Sequence, residues 1–312
     1  MSQLILHHYP RSPFSEKVRA ILGFKGLRWT SVIIPMIMPK PDVIALTGGY
    51  RKTPLLQVGA DIYCDTALIA DVLERLAPTP TLYPAESAGL TRIQAHWADS
   101  TLFWTAIAYS FQPAGLQSIF GNQPPENMKA FMADRAAFRG SNAPRLRVPE
   151  AIGALRLYLE QLETQLADGR PWLHGKSTSL ADFSVYHPLW YIRRQATGVA
   201  GILGEHGRVT AWLDRVEALG HGTSEKLESG EAVALAAAST PVSTEGEVFL
   251  DLHGLARGER VTVAPTDYGI DPVEGELVLS RPNEIAVRRV DARAGEVVVH
   301  FPRLGFQVQK VE

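Results

Sequence analysis

The sequence predicts an α+β protein of three successive parts: a small α/β domain, an all-helical domain and a small all-β domain. Three observations predict it. Short β-rich runs alternate with amphipathic helical stretches from Leu4 to Ala77. Apolar residues then recur at helical spacing from about Ala88 to Ala238. Beyond a linker of small and polar residues, Ser239 to Gly246, the pattern shortens to β-rich runs with Gly or Pro between most of them. The domains accordingly read as 1–80, 86–238 and 247–312.

In the first part, Leu4 to His8 reads as a strand, and Pro13 to Lys25 as a helix with Phe14, Val18, Ile21 and Leu22 on one face. Trp29 to Ile34 is β-branched and strand-like, and Pro35 to Pro41 is a loop. Leu55 to Val58 and Ile62 to Cys64, joined by Gly59-Ala60-Asp61, predict a hairpin. Asp65 to Leu76 is a second amphipathic helix, stopped by Pro78 and Pro80. The helical part is carried by Ala88 to Phe111, Val148 to Leu166, Leu180 to Arg194 and Val209 to Leu219, each with one apolar face. Between them, Gln112 to Pro149 is broken by Pro and Gly and holds one helix, Glu126 to Phe138; such irregular stretches often border a pocket. The last part offers strands at Val248 to Leu252, Val261 to Val263, Glu276 to Leu279, Ile285 to Val287, Val297 to Val299 and Phe306 to Val308, as a small barrel or folded sheet.

Composition narrows the function classes. A chain of 312 residues with 46% hydrophobic and 21% charged residues is globular, which excludes wholesale disorder. A net charge of -2 supplies no basic field for phosphate backbones, so nucleic acid is not an expected partner. Met1 to Tyr9 lacks the pattern of a signal peptide, and Thr101 to Phe111, the most apolar stretch, falls far short of the ~20 residues of a membrane span. The single cysteine, Cys64, forms neither an intramolecular disulfide nor a thiolate cluster. These features predict a cytoplasmic protein without membrane contact. His7 and His8 point to opposite faces of their strand and the other histidines are scattered, so no metal site is expected.

Four stretches carry a family resemblance. Tyr9-Pro10-Arg11-Ser12-Pro13-Phe14-Ser15-Glu16-Lys17-Val18-Arg19 resembles the strand-to-helix turn that opens glutathione transferases, and its Ser-Pro-Phe-Ser followed by a basic residue, Val and Arg is similar to omega- and zeta-class versions. Arg51-Lys52-Thr53-Pro54-Leu55-Leu56 and Asp65-Thr66-Ala67-Leu68-Ile69 are similar to two later segments of that superfamily, and Ser179-Leu180-Ala181-Asp182-Phe183 to the capping box of its helical domain. The resemblance covers Leu4 to about Ala238 and implies a thioredoxin-like domain followed by a helical one. It also implies glutathione as co-substrate, a small hydrophobic electrophile, detoxification chemistry and a homodimer.

The chemistry has its own logic. Only a thiolate is a good nucleophile, and a free thiol of pKa ~8.5 is mostly protonated at neutral pH. Lowering that pKa by two units takes about 2.7 kcal/mol. A hydroxyl hydrogen bond to the anion supplies ~1.5–3 kcal/mol, and a helix N-terminus ~0.3–1 kcal/mol. Ser12, just before Pro13, is placed to offer both, and it is equally a good helix cap. Ser15 and Tyr9 are the alternatives. The resemblance further implies a cis peptide at Pro54 and backbone contacts from Thr53 to the cysteinyl part of glutathione. Arg51 departs from the usual Gly of that segment; it and Lys52 are candidates to hold the glycyl carboxylate, or form an ordinary solvated loop. Asp65 and Thr66 would hold the γ-glutamyl end, at a helix N-terminus suited to a carboxylate.

Other residues read as structural. Ser179 and Asp182 form a reciprocal cap. Cys64 reads as a small buried hydrophobe; no cysteine stands at position 12, which argues against a thiol reductase. Trp97, Phe103, Trp104, Tyr109 and Phe111 crowd one helix as core, with some expected to line the electrophile pocket. The alternative function is a non-catalytic binding or assembly module on the same fold.

Overall fold

The computed structural model describes residues 3–140, 146–250 and 254–311. Its N-terminal unit runs β1 (Ile5–His8), α1 (Pro13–Phe24), β2 (Arg28–Ile33), α2 (Pro41–Thr47), β3 (Leu55–Val58), β4 (Asp61–Cys64) and α3 (Thr66–Leu76). β1 pairs parallel with β2 and antiparallel with β3, and β3 and β4 form the predicted hairpin. Alternation along the strands divides the interior in two. Leu6, Leu56 and Tyr63 face α1, α3 and the helical unit, whereas Ile5, Leu55 and Ile62 join Val43, Leu46 and Tyr50 on the opposite side.

The helical unit opens with α4 (Ala88–Trp97), passes through a π-helical turn, Ala98–Leu102, and continues as α5 (Phe103–Ser110). The sequence reads this as one helix, and it is one with a bulge. α6 (Pro113–Phe120) and α7 (Pro125–Arg139) follow, then α8 (Val148–Gln165), α9 (Leu180–Arg194), the short α10 (Gly201–Gly204) and α11 (Gly207–Glu217). Asp182 caps α9 as expected, accepting from the Ser179 N–H at 2.9 Å. It also accepts from the Leu173 N–H and from Trp212 Nε1, each at 2.9 Å, so one buried carboxylate joins three segments.

The chain then returns to the sheet. β5 (Thr223–Lys226), within the stretch read as helical, pairs parallel with β2, and α12 (Ser229–Ala237) packs on α2. Its Ala232, Val233 and Ala236 enter the second core. β6 (Arg260–Pro265), β7 (Val273–Ser280), β8 (Glu284–Asp291), β9 (Gly295–Pro302) and β10 (Phe306–Lys310) complete the chain. Of the strand expected at Val248 to Leu252, residues 248–250 form none and 251–252 lie outside the described residues.

The C-terminal strands form an open sheet that extends the first one. β9 pairs parallel with β4, Ile62 opposite Val299 and Tyr63 opposite His300. The ten strands run in the order β10-β6-β7-β8-β9-β4-β3-β1-β2-β5. Val263, Val273, Val287, Val299 and Phe301 share the core that holds Val43, Leu46, Tyr50 and Ile62. At the seam, His300 Nδ1 lies 2.8 Å from Glu284 Oε1 and its Nε2 lies 3.0 Å from Asp61 Oδ1, with the ring stacked on Tyr63. Among the described residues no helix is long and apolar enough to cross a membrane.

Candidate functional site

A cavity of about 780 Å³ lies between the N-terminal unit, the helical unit and the loop that joins β6 to β7. Tyr9, Ser12, Lys52, Thr53, Pro54, Asp65 and Thr66 all line it. Residues far apart in sequence are thus gathered on one wall. The wall exists because β1 ends at the N-terminus of α1, β3 begins after Pro54, and β4 turns directly into α3.

Ser12 is 2% exposed and caps α1, its Oγ accepting from the Ser15 N–H at 3.1 Å. That bond uses an oxygen lone pair and leaves the hydroxyl hydrogen for a further acceptor, so capping and anion stabilisation are compatible. Ser15 is fully buried, its Oγ has no partner, and it does not line the cavity. Tyr9 does, with the Lys40 ammonium 5.9 Å from its ring centroid.

The Thr53–Pro54 peptide is cis. Below it lies Lys40, a residue the sequence did not single out. Its ammonium donates to Thr53 Oγ1 at 3.2 Å and to the Arg51 carbonyl at 3.4 Å. Burial, together with the positive charges of Arg135 and Arg51 and against Asp134, brings its pKa down to about 7.

At the γ-glutamyl end expected from the sequence, Asp65 caps α3 by accepting from the Ala67 N–H at 2.8 Å. With φ of 72° it is the one non-glycine residue at positive φ among those described, a strained geometry held between strand and helix. Burial pushes its carboxyl pKa up, against the Ala67 hydrogen bond and the charges of Lys52 and Lys17. Thr66 Oγ1 accepts from Lys17 Nζ at 3.1 Å. Lys17 is fully buried and pairs with Asp99 Oδ2 at 2.6 Å. Asp99 sits on the π-helical turn and also accepts from His187 Nε2 at 3.0 Å. Burial opposes its charge, but Lys17 and the His187 hydrogen bond overcome that and hold its carboxyl below the usual range. Lys17 and Asp99 were not legible as a pair, because nothing local brings positions 17 and 99 together.

Cys64 is buried outside the cavity lining, and burial first, then the neighbouring Asp65 charge, pushes its thiol pKa well above the ordinary value. The thiol is therefore a poor nucleophile.

The family profile described as "Glutathione S-transferase, N-terminal domain" matches residues 6–81, and that described as "Glutathione S-transferase, C-terminal domain" matches residues 145–215. A crystal structure of a GST-like protein from Pseudomonas syringae is 43% identical, with a TM-score of 0.82 over 100% of both chains. The chain belongs to the glutathione S-transferase superfamily. Its N-terminal unit is the thioredoxin-like domain of that superfamily, its second unit the helical domain, and its β-rich C-terminal region is an addition. FtsZ-localized protein A of Caulobacter vibrioides is 26% identical over 185 residues, spanning 57% of this chain and 72% of that protein. A glutathione S-transferase structure from Rhodospirillum rubrum F11 shares the fold at 20% identity and TM-score 0.52, over 69% of this chain and 88% of that one.

In this glutathione S-transferase superfamily member the thioredoxin-like wall faces an apolar one from the helical domain. Phe103, Trp104 and Phe111 line the cavity, as the sequence led one to expect of part of that aromatic cluster. Trp97 and Tyr109 do not; Tyr109 is buried, with its hydroxyl donating to the Val199 carbonyl at 2.9 Å. The stretch between Gln112 and Pro149 adds Ile119, Phe120, Phe131 and Phe138. Arg11 reaches the same wall, bonded to Gln195 Oε1 at 2.9 Å and the Ile119 carbonyl at 2.7 Å.

Proposed function

We propose that this superfamily member binds a glutathione-type thiol and transfers it to a small hydrophobic electrophile, or uses it to isomerise one. The single observation that carries the reading is the convergence of Ser12, Thr53, Pro54 and Thr66 on one cavity whose opposite wall is aromatic. In this reading Thr66 and the N-terminus of α3 hold the γ-glutamyl carboxylate, and Asp65 faces the ammonium. The Thr53 backbone pairs with the cysteinyl unit in strand fashion.

Ser12 is the catalytic residue. Its hydroxyl donates to the sulfur while the first-turn N–H groups of α1 add their dipole, so the thiol gives its proton to solvent and stays a thiolate. The thiolate forms a C–S bond at the electrophilic carbon. In conjugation the electron pair departs with the leaving group; in isomerisation the C–S bond breaks again, its electron pair returns to sulfur and the thiolate is released. The aromatic wall excludes water and orients the electrophile. The working form in this reading is a cytoplasmic homodimer with a detoxifying role.

Calorimetry with glutathione, followed by turnover of a chromogenic electrophile by the wild type and Ser12→Ala, tests the assignment. Binding without turnover across a broad electrophile panel would favour a second reading, a binding or assembly module. The similarity to a protein named for its localisation with FtsZ favours that alternative.

A further inference from the structure

The loop from Thr266 to Pro272 brings two carboxylates to the thioredoxin-like domain. Asp267 Oδ1 lies 2.6 Å from Lys52 Nζ, and Asp271 Oδ2 lies 3.3 Å from Arg51 Nε. Arg51 also pairs with Asp134 at 3.1 Å, and Arg135 stands 3.7 Å from the same Asp134. Lys52, Asp267 and Tyr268 all line the cavity, so this is the end at which a bound tripeptide would present its last residue. Lys40 is buried beneath Thr53 and does not reach the cavity lining. Arg51, Lys52 and Arg135 all line this end of the cavity, and each lies within 4 Å of a carboxylate of the chain itself.

The loop is fastened in place. Tyr268 packs edge-on against Trp104 at 5.1 Å and Phe138 at 5.3 Å, and the Lys52 ammonium lies 3.9 Å from its ring centroid. The Gly269 N–H donates to the Phe138 carbonyl at 2.9 Å. At φ of 58°, with a Cβ falling 2.2 Å from Phe138 Cε2, position 269 admits only glycine. Asp267 is therefore held on Lys52 from both the β-rich region and the helical domain.

We propose that Asp267 sets the thiol specificity of the site: it occupies the cation that a terminal carboxylate would need, so the cavity takes γ-glutamyl thiols whose far end is neutral. The proposal rests on the glutathione-type reading of the Ser12–Thr66 wall. A ligand ending in a carboxylate must displace Asp267 or approach it unpaired, and like charges at such a distance repel. One ending in an amide meets no such opposition.

The test is calorimetry on the full chain with two probes, glutathione and the same tripeptide ending in glycinamide. Wild type is expected to bind the glycinamide at least as tightly as glutathione. Asp267→Asn is expected to shift the ratio of dissociation constants about tenfold toward glutathione, the worth of one charge-assisted contact. Asp267 is more than half exposed, and Asp267→Ser serves as a second variant with the same expected direction. A tenfold wild-type preference for glutathione, or a ratio that neither substitution moves, overturns the proposal and leaves the thiol-binding reading intact. Absence of binding of both tripeptides to all three proteins overturns the reading itself, and the proposal with it.

Discussion

Lys17 and Asp99 meet at 2.6 Å across the junction of the thioredoxin-like and helical domains, directly beneath Thr66. A fully buried ammonium from α1 thereby links the α3 N-terminus to the π-helical turn of the second domain. Lys17→Met should destabilise the protein by about 2–3 kcal/mol, less than the ~3–5 kcal/mol of a fully buried pair, because the Asp99 carboxylate loses its ammonium but keeps His187 and a side chain 18% exposed at the cavity wall. The double variant Lys17→Met/Asp99→Asn should cost clearly less than the sum of its parts. Urea unfolding of the four proteins of the cycle measures this; strict additivity would show that the pair is not coupled.

In the proposed thiol-activating role, Ser12→Ala removes two things at once. Loss of the cap should cost about 1 kcal/mol of stability. Loss of the hydroxyl donor to a sulfur anion, worth ~1.5–3 kcal/mol, should lower kcat/KM about 10- to 100-fold. Ser15→Ala serves as the contrast: its buried hydroxyl has no partner, so its removal should leave activity unchanged and stability equal or higher. Steady-state kinetics and thermal melts on both variants separate the two serines.

The seam histidine predicts a pH dependence. Burial disfavours the charged form of His300, but the hydrogen bonds and charges of Asp61 and Glu284 outweigh it and raise its pKa above the ordinary value. A group raised on folding lends its stabilisation in full below its unfolded pKa of about 6.5 and loses it as pH rises through the folded value. Glu284 runs the other way. Burial raises its pKa, but His300 and the nearby Arg75 and Arg281 bring it below the ordinary value. Its contribution is present above the unfolded carboxyl range and fades as pH falls through the folded value. Buried Lys40, with its pKa lowered to about 7, runs opposite to His300 and adds stability as pH rises. Melting temperature followed from pH 6 to pH 9 should therefore fall less, or rise more, in His300→Gln than in the wild type, since the Lys40 contribution is common to both.

Removal of residues 247–312 should yield an aggregating fragment. The strands lost would uncover Val43, Leu46, Tyr50 and Ile62, which now share a core with Val263, Val287 and Phe301. Each large apolar side chain so exposed forfeits about 1.5–3 kcal/mol. Size-exclusion chromatography of the fragment checks this; a monodisperse, folded product would show that the first two domains need no cover.

Local chemistry made much of the architecture legible in sequence. The β3–β4 hairpin, the caps at Ser12, Asp65 and Ser179, and the helices α1, α3 and α9 follow from periodicity and capping residues close in the chain. The positions that line one wall of the cavity were legible through motifs that sit at these same turns. What sequence could not reveal depends on pairings between distant residues. β4 with β9, Lys17 with Asp99 and Lys52 with Asp267 leave no periodic trace, since each partner alone reads as an ordinary strand, helix or loop residue. α6 escaped because Pro113 and the glycines around it read as loop, although proline is well placed at the first turn of a helix.

The parallel pairing of β9 along β4 has a consequence for self-association. The backbone amides on that flank of the thioredoxin-like domain are already spent within the chain, so no second molecule can zip onto them. The outermost ribbons are β10 and β5, short segments that each finish in a lysine, a composition that discourages runaway stacking of sheets. That leaves side chains on the helices and on the broad faces as the surfaces favoured for association of two copies.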